Sequence, residues 1–396
     1  MGRLNTLDDW LSYQESLHGS EIDLGLDRVR QVYQALFPQG LEFQVITVAG
    51  TNGKGSTGTF IRHILVQAGH QVGQFSSPHI HHYNERFSVN GIDADDEQII
   101  QAFTAIEAAR GQTSLTYFEF STLAALLIFT KAKVDMAVLE VGLGGRLDSV
   151  NVVDPDVCVI TNIAIDHTDY LGDTREQIGR EKAGIMRANT PCVCADSNPP
   201  ASLKAQADSV GATLELVTEP YLGNIGLPGE HQRVNAALAR RAAQLADPSL
   251  SAASIEQGIA TARIPGRFEQ VHLNDKTWVF DVAHNQAAVE VLAQTLKQDP
   301  QPTLAIFAAL KDKNIADIIG TIHRQIDQWL LVPLEVPRAI AMGELVELFP
   351  LGDKLLVCDH MDAALTHARH AQYARIVIFG SFYTVALGKK SLDKLT

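Results

Sequence analysis

The side chains best suited to chemistry gather in one short stretch, Gly50-Thr51-Asn52-Gly53-Lys54-Gly55-Ser56. An apolar, β-branched run at 45–48 leads into it, and a helical apolar rhythm at Phe60, Ile61, Ile64 and Leu65 leads away. Strand, glycine-rich turn and helix aim successive backbone N–H groups and a positive helix end at a phosphate. The glycines remove Cβ atoms that would hold the backbone off the anion. Lys54 can charge-pair with the outer phosphates, and the hydroxyl of Ser56 or Thr57 can face a metal or the phosphate. The stretch departs from G-x-x-x-x-G-K-[ST], because Val48 stands at the first glycine and Gly55 separates Lys54 from Ser56. Nucleotide binding is the expectation, over a glycine-rich β–α turn with no ligand.

Ligands of a parallel sheet collect beyond the carboxyl ends of its strands. Ser77, Glu140 and His167 all fall there. A hydroxyl, a carboxylate and an imidazole suit a Mg²⁺ that keeps waters and takes phosphate oxygens. Glu140 could instead cap or ion-pair a neighbouring helix, and a single histidine is more often a loop residue than a ligand. Lys182 lies on a helix where a solvated face is the commoner role, and His81 and His82 read as surface-loop residues. Asp148 follows Gly144-Gly145-Arg146-Leu147, which predicts a flexible loop free to meet a substrate. Further along, Asp281 and His284 end a strand, and Arg267 sits just inside a linker. These three could contact a ligand or form interdomain salt bridges.

The elements that must position these groups alternate along the chain. Amphipathic helices are expected at 6–19 and 26–37, then the phosphate-loop helix, a strand at 72–77 and half a hairpin at 85–91. Asp93 or Asp95 caps a helix reaching 109. A helix at 117–131 precedes strands at 134–142 and 156–163, both apolar on two faces, as in a covered parallel sheet. Thr174-x-x-Gln177 opens a helix to 186, and a strand at 190–196 and a helix at 201–211 follow. The pattern weakens into a connection at 212–230, helices follow at 232–246 and 251–262, and Pro265-Gly266 marks a boundary. Beyond it, five strand–helix pairs predict a second doubly wound domain without a glycine fingerprint of its own. The expected fold is α/β with two domains. Residues 1–267 are expected to form an N-terminal P-loop parallel-sheet ATPase domain, and residues 268–396 a smaller, Rossmann-like C-terminal α/β domain.

With 396 residues, 46% hydrophobic and 20% charged, the chain has the composition of an ordinary globular protein. No apolar stretch reaches spanning length, and the start lacks a signal-peptide layout. The net charge of −14 argues against broad binding to nucleic acid or an anionic membrane. Cys158, Cys192, Cys194 and Cys358 sit in strand-like runs and read as small buried residues, consistent with a reducing, cytoplasmic setting. Nothing reads out an oligomeric state, so a monomer is assumed.

AGTNGKGS, SSPHI, LEVGLGGRLDSVN, IDHTDYLG, GREKAGI, IPGRF and DVAHN occur in the order seen in the Mur ligase superfamily. Together they resemble most closely its folate branch, the dihydrofolate synthase/folylpolyglutamate synthases, over nearly the whole chain. The resemblance implies an ATP-dependent ligase that phosphorylates a carboxylate of dihydropteroate or folate and joins it to L-glutamate. It implies ATP contacts at Thr51, Asn52, Gly53, Lys54, Gly55, Ser56, Asn235, Arg267 and Asp281. It places Mg²⁺, expected as two ions, on Ser77, Glu140, His167 and a carbamylated Lys182. The pterin substrate would meet Glu21, Ile22, Asp23 and Leu24, then Thr116, Tyr117, Phe118 and Glu119, then Leu147, Asp148 and Ser149. Lys54, Lys182 and His284 are the candidate catalytic residues, with His284 or Asp281 available to the glutamate amine. Two departures stand out: the 212–230 connection is short, and Ser149-Val150 replaces the common Ala-Thr. A UDP-sugar Mur ligase would need a domain ahead of the loop, where only about 45 residues stand. A monofunctional folylpolyglutamate synthase and a non-catalytic ATP switch are the remaining alternatives.

Overall fold

The computed structural model describes residues 4–19, 23–349 and 354–394, and divides into two compact units. The first comprises 1–226 and 232–263, the second 227–231 and 264–396. Arg267 therefore belongs to the second unit.

The first unit is built on eight strands: β1 Gln44–Ala49, β2 Val72–Phe75, β3 Phe87–Val89, β4 Ile92–Asp93, β5 Met136–Glu140, β6 Val157–Ile160, β7 Pro191–Cys194 and β8 Thr213–Leu216. Their order is β4-β3-β2-β5-β1-β6-β7-β8. The β2–β5, β5–β1, β1–β6, β6–β7 and β7–β8 pairs are parallel; only β2–β3 and β3–β4 are antiparallel. Apart from Gln44, every β1 residue is buried, as an unbroken apolar run requires when helices cover both faces. β8 is a correction to the expected 212–230 connection. Its burial pattern, exposed at both ends and half-buried between, is that of an edge strand, which leaves little apolar signal to read.

The helix Lys54–Gln67 starts directly after the β1 turn and buries Phe60, Ile61, Ile64 and Leu65 completely. That burial fixes the turn ahead of it; removing a ring such as that of Phe60 costs about 3–5 kcal/mol. Cys158, Cys192 and Cys194 are buried free thiols of β6 and β7.

The second unit carries β9 Glu269–Leu273, β10 Lys276–Asp281, β11 Thr303–Phe307, β12 Gln328–Leu331, β13 Leu355–Val357 and β14 Arg375–Phe379, ordered β13-β12-β11-β14-β10-β9. All pairs are parallel except β9–β10. β9 was not expected from the sequence. It is joined to β10 through Asn274 and Asp275, both at positive φ (51° and 59°), the geometry of a tight two-residue hairpin.

Candidate active site

The carboxyl ends of β1, β2, β5 and β6 converge on the 50–56 turn. Gly50 has φ 144°, and a Cβ there would lie 1.8 Å from Thr161 Oγ1, so only glycine fits. The Thr51 amide donates to the Asn162 carbonyl (2.8 Å) and the Asn52 amide to Asn162 Oδ1 (2.8 Å). Thr161 Oγ1 in turn donates to the Asn52 carbonyl (2.6 Å). Gly53, left-handed at φ 84°, then caps the helix without any side-chain hydrogen bond. The first turn thus begins at a glycine, with no N-cap side chain to take up its amides at the positive helix end.

Two lysines close on this turn. Lys54 Nζ donates to the carbonyls of Gly50 (3.1 Å) and Thr51 (3.2 Å). Lys182, on the helix Arg175–Ala183, is only 3% exposed and donates to the same Gly50 carbonyl (2.9 Å). Burial, and then the charge of Lys54, pull the Lys182 amine down to about 7, against the opposing pull of Asp166 and Asp148. This buried placement decides against the solvated helix face. A narrow cleft is lined by both lysines together with Thr51, Gly142, Asp166 and His167.

The metal candidates fall beside it. The Ser77 amide donates to Glu140 Oε2 (3.4 Å), which joins the end of β5 to the turn after β2. His167 is left-handed at φ 53°, with its ring Nε2 4.0 Å from Asp166 Oδ2. Among the described residues no three of His, Cys, Asp and Glu are arranged to hold a metal alone. Hard oxygen and imidazole donors next to a phosphate turn nevertheless suit Mg²⁺, which keeps waters and borrows phosphate oxygens.

The expected substrate segments meet at the start of the helix Tyr117–Ala132. Thr116 Oγ1 accepts from the Glu119 amide (3.2 Å) while Glu119 Oε2 accepts from the Thr116 amide (2.7 Å), a capping box. Arg28 ion-pairs with both Glu119 Oε1 (3.2 Å) and Asp23 Oδ2 (2.7 Å). The Ser149 hydroxyl lies 2.6 Å from Thr122 Oγ1. Glu21 and Ile22 lie outside the described residues; Leu24 and Leu147 are half-buried. Asp148 corrects the flexible-loop expectation: it is 2% exposed and accepts from the amides of Leu143 (2.8 Å) and Val150 (2.9 Å). It ties the loop down, and burial pushes its carboxyl up to about 6.

In the second unit, Asp281 accepts from the amides of Phe268 (2.9 Å) and Ala283 (2.8 Å). Its carboxyl is raised by burial, with Arg267 opposing. The Arg267 guanidinium stands 5.4 Å from the Phe382 ring centroid, and the His284 ring 5.9 Å from it. His284 Nδ1 lies 2.7 Å from the Val282 carbonyl, which commits that nitrogen as the donor.

Two family models match this chain: the Mur ligase middle domain over residues 48–199, and the Mur ligase, glutamate ligase domain over 266–382. The dihydrofolate synthase/folylpolyglutamate synthase of Escherichia coli is 42% identical, over 98% of this chain and 96% of its own. That of Bacillus subtilis is 33% identical over 93% of this chain and 95% of its own. The solved structure of E. coli FolC in complex with DHPP and ADP superposes with TM-score 0.93 at 38% identity, covering 99% of this chain and 98% of that one. A bifunctional folylpolyglutamate synthase/dihydrofolate synthase solved with Mn, AMPPNP and L-glutamate gives 0.89 at 38% identity, with 98% of each chain covered. The chain belongs to the dihydrofolate synthase/folylpolyglutamate synthase family of Mur ligases.

In this family member the fold brings together Thr51 to Ser56, Asn235, His167 and Lys182, with Ser77 and Glu140 as a pair. Asn235 reaches Gly53, where a Cβ would meet its Oδ1 at 2.8 Å. Reading the residues in order missed Gln232, whose Nε2 donates to Ser56 Oγ (3.2 Å) and whose Oε1 accepts from Asn235 Nδ2 (3.0 Å). It also missed Arg28. The three-residue spacing of Gln232 and Asn235 on one helix was the available signal.

Proposed function

We propose that the chain is an ATP-dependent carbon–nitrogen ligase that adds L-glutamate to dihydropteroate and to the glutamate tail of tetrahydrofolates. The observation that carries it is the convergence of Lys54 and Lys182 on the Gly50 carbonyl beside an uncapped helix start. The Lys54 ammonium beside that helix start calls for an anion, and a nucleotide's outer phosphates supply it.

A carboxylate is a poor electrophile, so the γ-phosphoryl group of ATP passes to the substrate carboxylate, giving an acyl phosphate and ADP. The glutamate amine then attacks the acyl carbon, phosphate leaves, and the amine proton is lost. The amides of the first helical turn and the Lys54 ammonium hold the phosphates and offset charge as it shifts during transfer. Magnesium held by Ser77, Glu140 and His167 would supply further neutralisation of the phosphate oxygens. Lys182 would join that shell as its carbamate, and an amine lowered to about 7 is the form that captures CO₂. Asn235, Arg267 and Asp281 are assigned to the nucleotide and His284 to the glutamate side. The segments at 21–24, 116–119 and 147–149 are assigned to the pterin, with the Phe118 and Tyr117 rings as its apolar walls. The unit of residues 1–226 and 232–263 serves as the ATPase domain, and that of 227–231 and 264–396 as the glutamate ligase domain, of a cytoplasmic monomer with no nucleic-acid or membrane partner. Among the described residues no helix is long and apolar enough to cross a membrane.

The test is phosphate release by purified protein with ATP, Mg²⁺ and glutamate, with dihydropteroate or tetrahydrofolate as acceptor. Turnover with both is expected; turnover with one alone would make the enzyme monofunctional.

A further inference from the structure

Arg86 lies between the turn assigned to the metal and the helix start assigned to the pterin, and among the described residues no acid pairs with it. It is 8% exposed. Its backbone carbonyl accepts from the Ser76 amide (3.1 Å), one residue before Ser77. Its guanidinium stands 5.4 Å from the ring centroids of both Tyr83 and Tyr117. Nε donates to His79 Nδ1 at 3.0 Å, which spends one of its five N–H groups on a neutral acceptor. Among the described residues no carboxylate pairs with Arg86. The adjacent Glu85 is engaged elsewhere, accepting from the amides of Ile80 (2.8 Å), His81 (2.7 Å) and His82 (2.9 Å).

A buried guanidinium without a counter-charge is costly, and two aromatic faces offset only part of that cost. The planar fork that remains matches a carboxylate in bidentate geometry. We infer that Arg86 binds the carboxylate of the pteroyl acid and holds it between the pterin wall at Tyr117 and the turn at Ser77. The reacting carboxylate has to lie between those two segments if each does what is assigned to it. The inference rests on that reading, and it adds a specificity-determining residue: the enzyme would select the ionised acid over its neutral derivatives at the moment of binding.

The experiment compares equilibrium binding of dihydropteroate and of its methyl ester to the full-length protein. Wild type should prefer the acid at least tenfold. Arg86→Met should weaken the acid ten- to a hundredfold, down to the level of the ester, and leave ester binding within twofold and ADP binding unchanged. Equal loss of acid and ester, or no loss of either, would overturn the inference, since packing alone would then describe Arg86. If Arg86→Met does not fold, Arg86→Lys decides. It keeps the charge but loses the fork, so the acid alone should weaken three- to tenfold; equal weakening of both overturns the inference. A wild type that neither binds nor turns over dihydropteroate would remove the pteroyl ligase reading itself. A wild type that separates acid from ester, beside an Arg86→Met protein that separates them equally well, would remove only Arg86.

Discussion

Each unit sends a strand from the interior of its sheet into a helix, yet the two junctions are built in opposite ways. After β1, Gly53 starts the helix Lys54–Gln67 with no side-chain cap. After β10, the Asn285 side chain accepts from the Ala288 amide (2.9 Å) and caps the helix Gln286–Gln298. Asp281 takes the Phe268 and Ala283 amides at the same strand end. The first junction starts its helix with no N-cap side chain, and the second spends the Ala288 amide on Asn285. On the proposed assignment the second unit works through side chains, with Arg267 and His284 set around the Phe382 ring. This is the physical reason a glycine fingerprint is needed once in the chain and not twice.

The contrast is open to attack first at Lys54. Lys54→Ala should lower kcat at least about a hundredfold, on the scale of a lost charge-stabilising donor, with the melting temperature near that of wild type. Steady-state phosphate release checks it, and near-normal turnover would mean that the backbone turn alone handles the phosphates. Arg267→Ala should act more gently, raising the KM for ATP about tenfold (about 1.4 kcal/mol) with kcat within about threefold. A hundredfold fall in kcat would instead place Arg267 in the chemical step, and the division between the two junctions would fail.

Lys182 sharpens the comparison through pH. Burial and Lys54 disfavour its cation, so the amine holds its proton only below about 7. Lowering the pH from 8 to 6 restores the ammonium and removes the nucleophile for CO₂. The carbamate signal in protein equilibrated with ¹³C-bicarbonate should therefore drop several-fold over that range and vanish in Lys182→Arg. A signal independent of pH would show a lysine that is not tuned by its surroundings.

Much of this was legible before any coordinates because it is written in local chemistry. Thr174-x-x-Gln177 announces a capping box that the structure forms, and of Asp93 and Asp95 it is Asp95 that caps the helix Asp96–Arg110. The 50–56 turn shows itself by its glycines. What stayed hidden depends on partners distant in sequence. β8 and β9 are sheet edges with half-exposed faces, so neither carries an unbroken apolar run, although Asn274-Asp275 was a readable turn for β9. Asp148 looked mobile beside two glycines and is instead buried as the fastener of its own loop. Arg86 gave no signal at all, because its meaning lies in having no carboxylate pair among the described residues, its neighbour Glu85 being bonded to backbone amides. A missing partner can be seen only in three dimensions.

The smallest expected effect tests the capped side of the comparison directly. Asn285→Ala removes one N-cap, which costs about 1 kcal/mol, and the midpoint of denaturant unfolding of the second unit should fall accordingly. Because the Ala288 amide is already spent on Asn285, no ligand draws on it in the folded protein. ADP affinity should thus stay within twofold of wild type. If affinity instead fell about fivefold at unchanged stability, the cap would be a ligand contact. The β10 junction would then bind through its helix start, as the β1 junction does, and the two units would be variants of one solution.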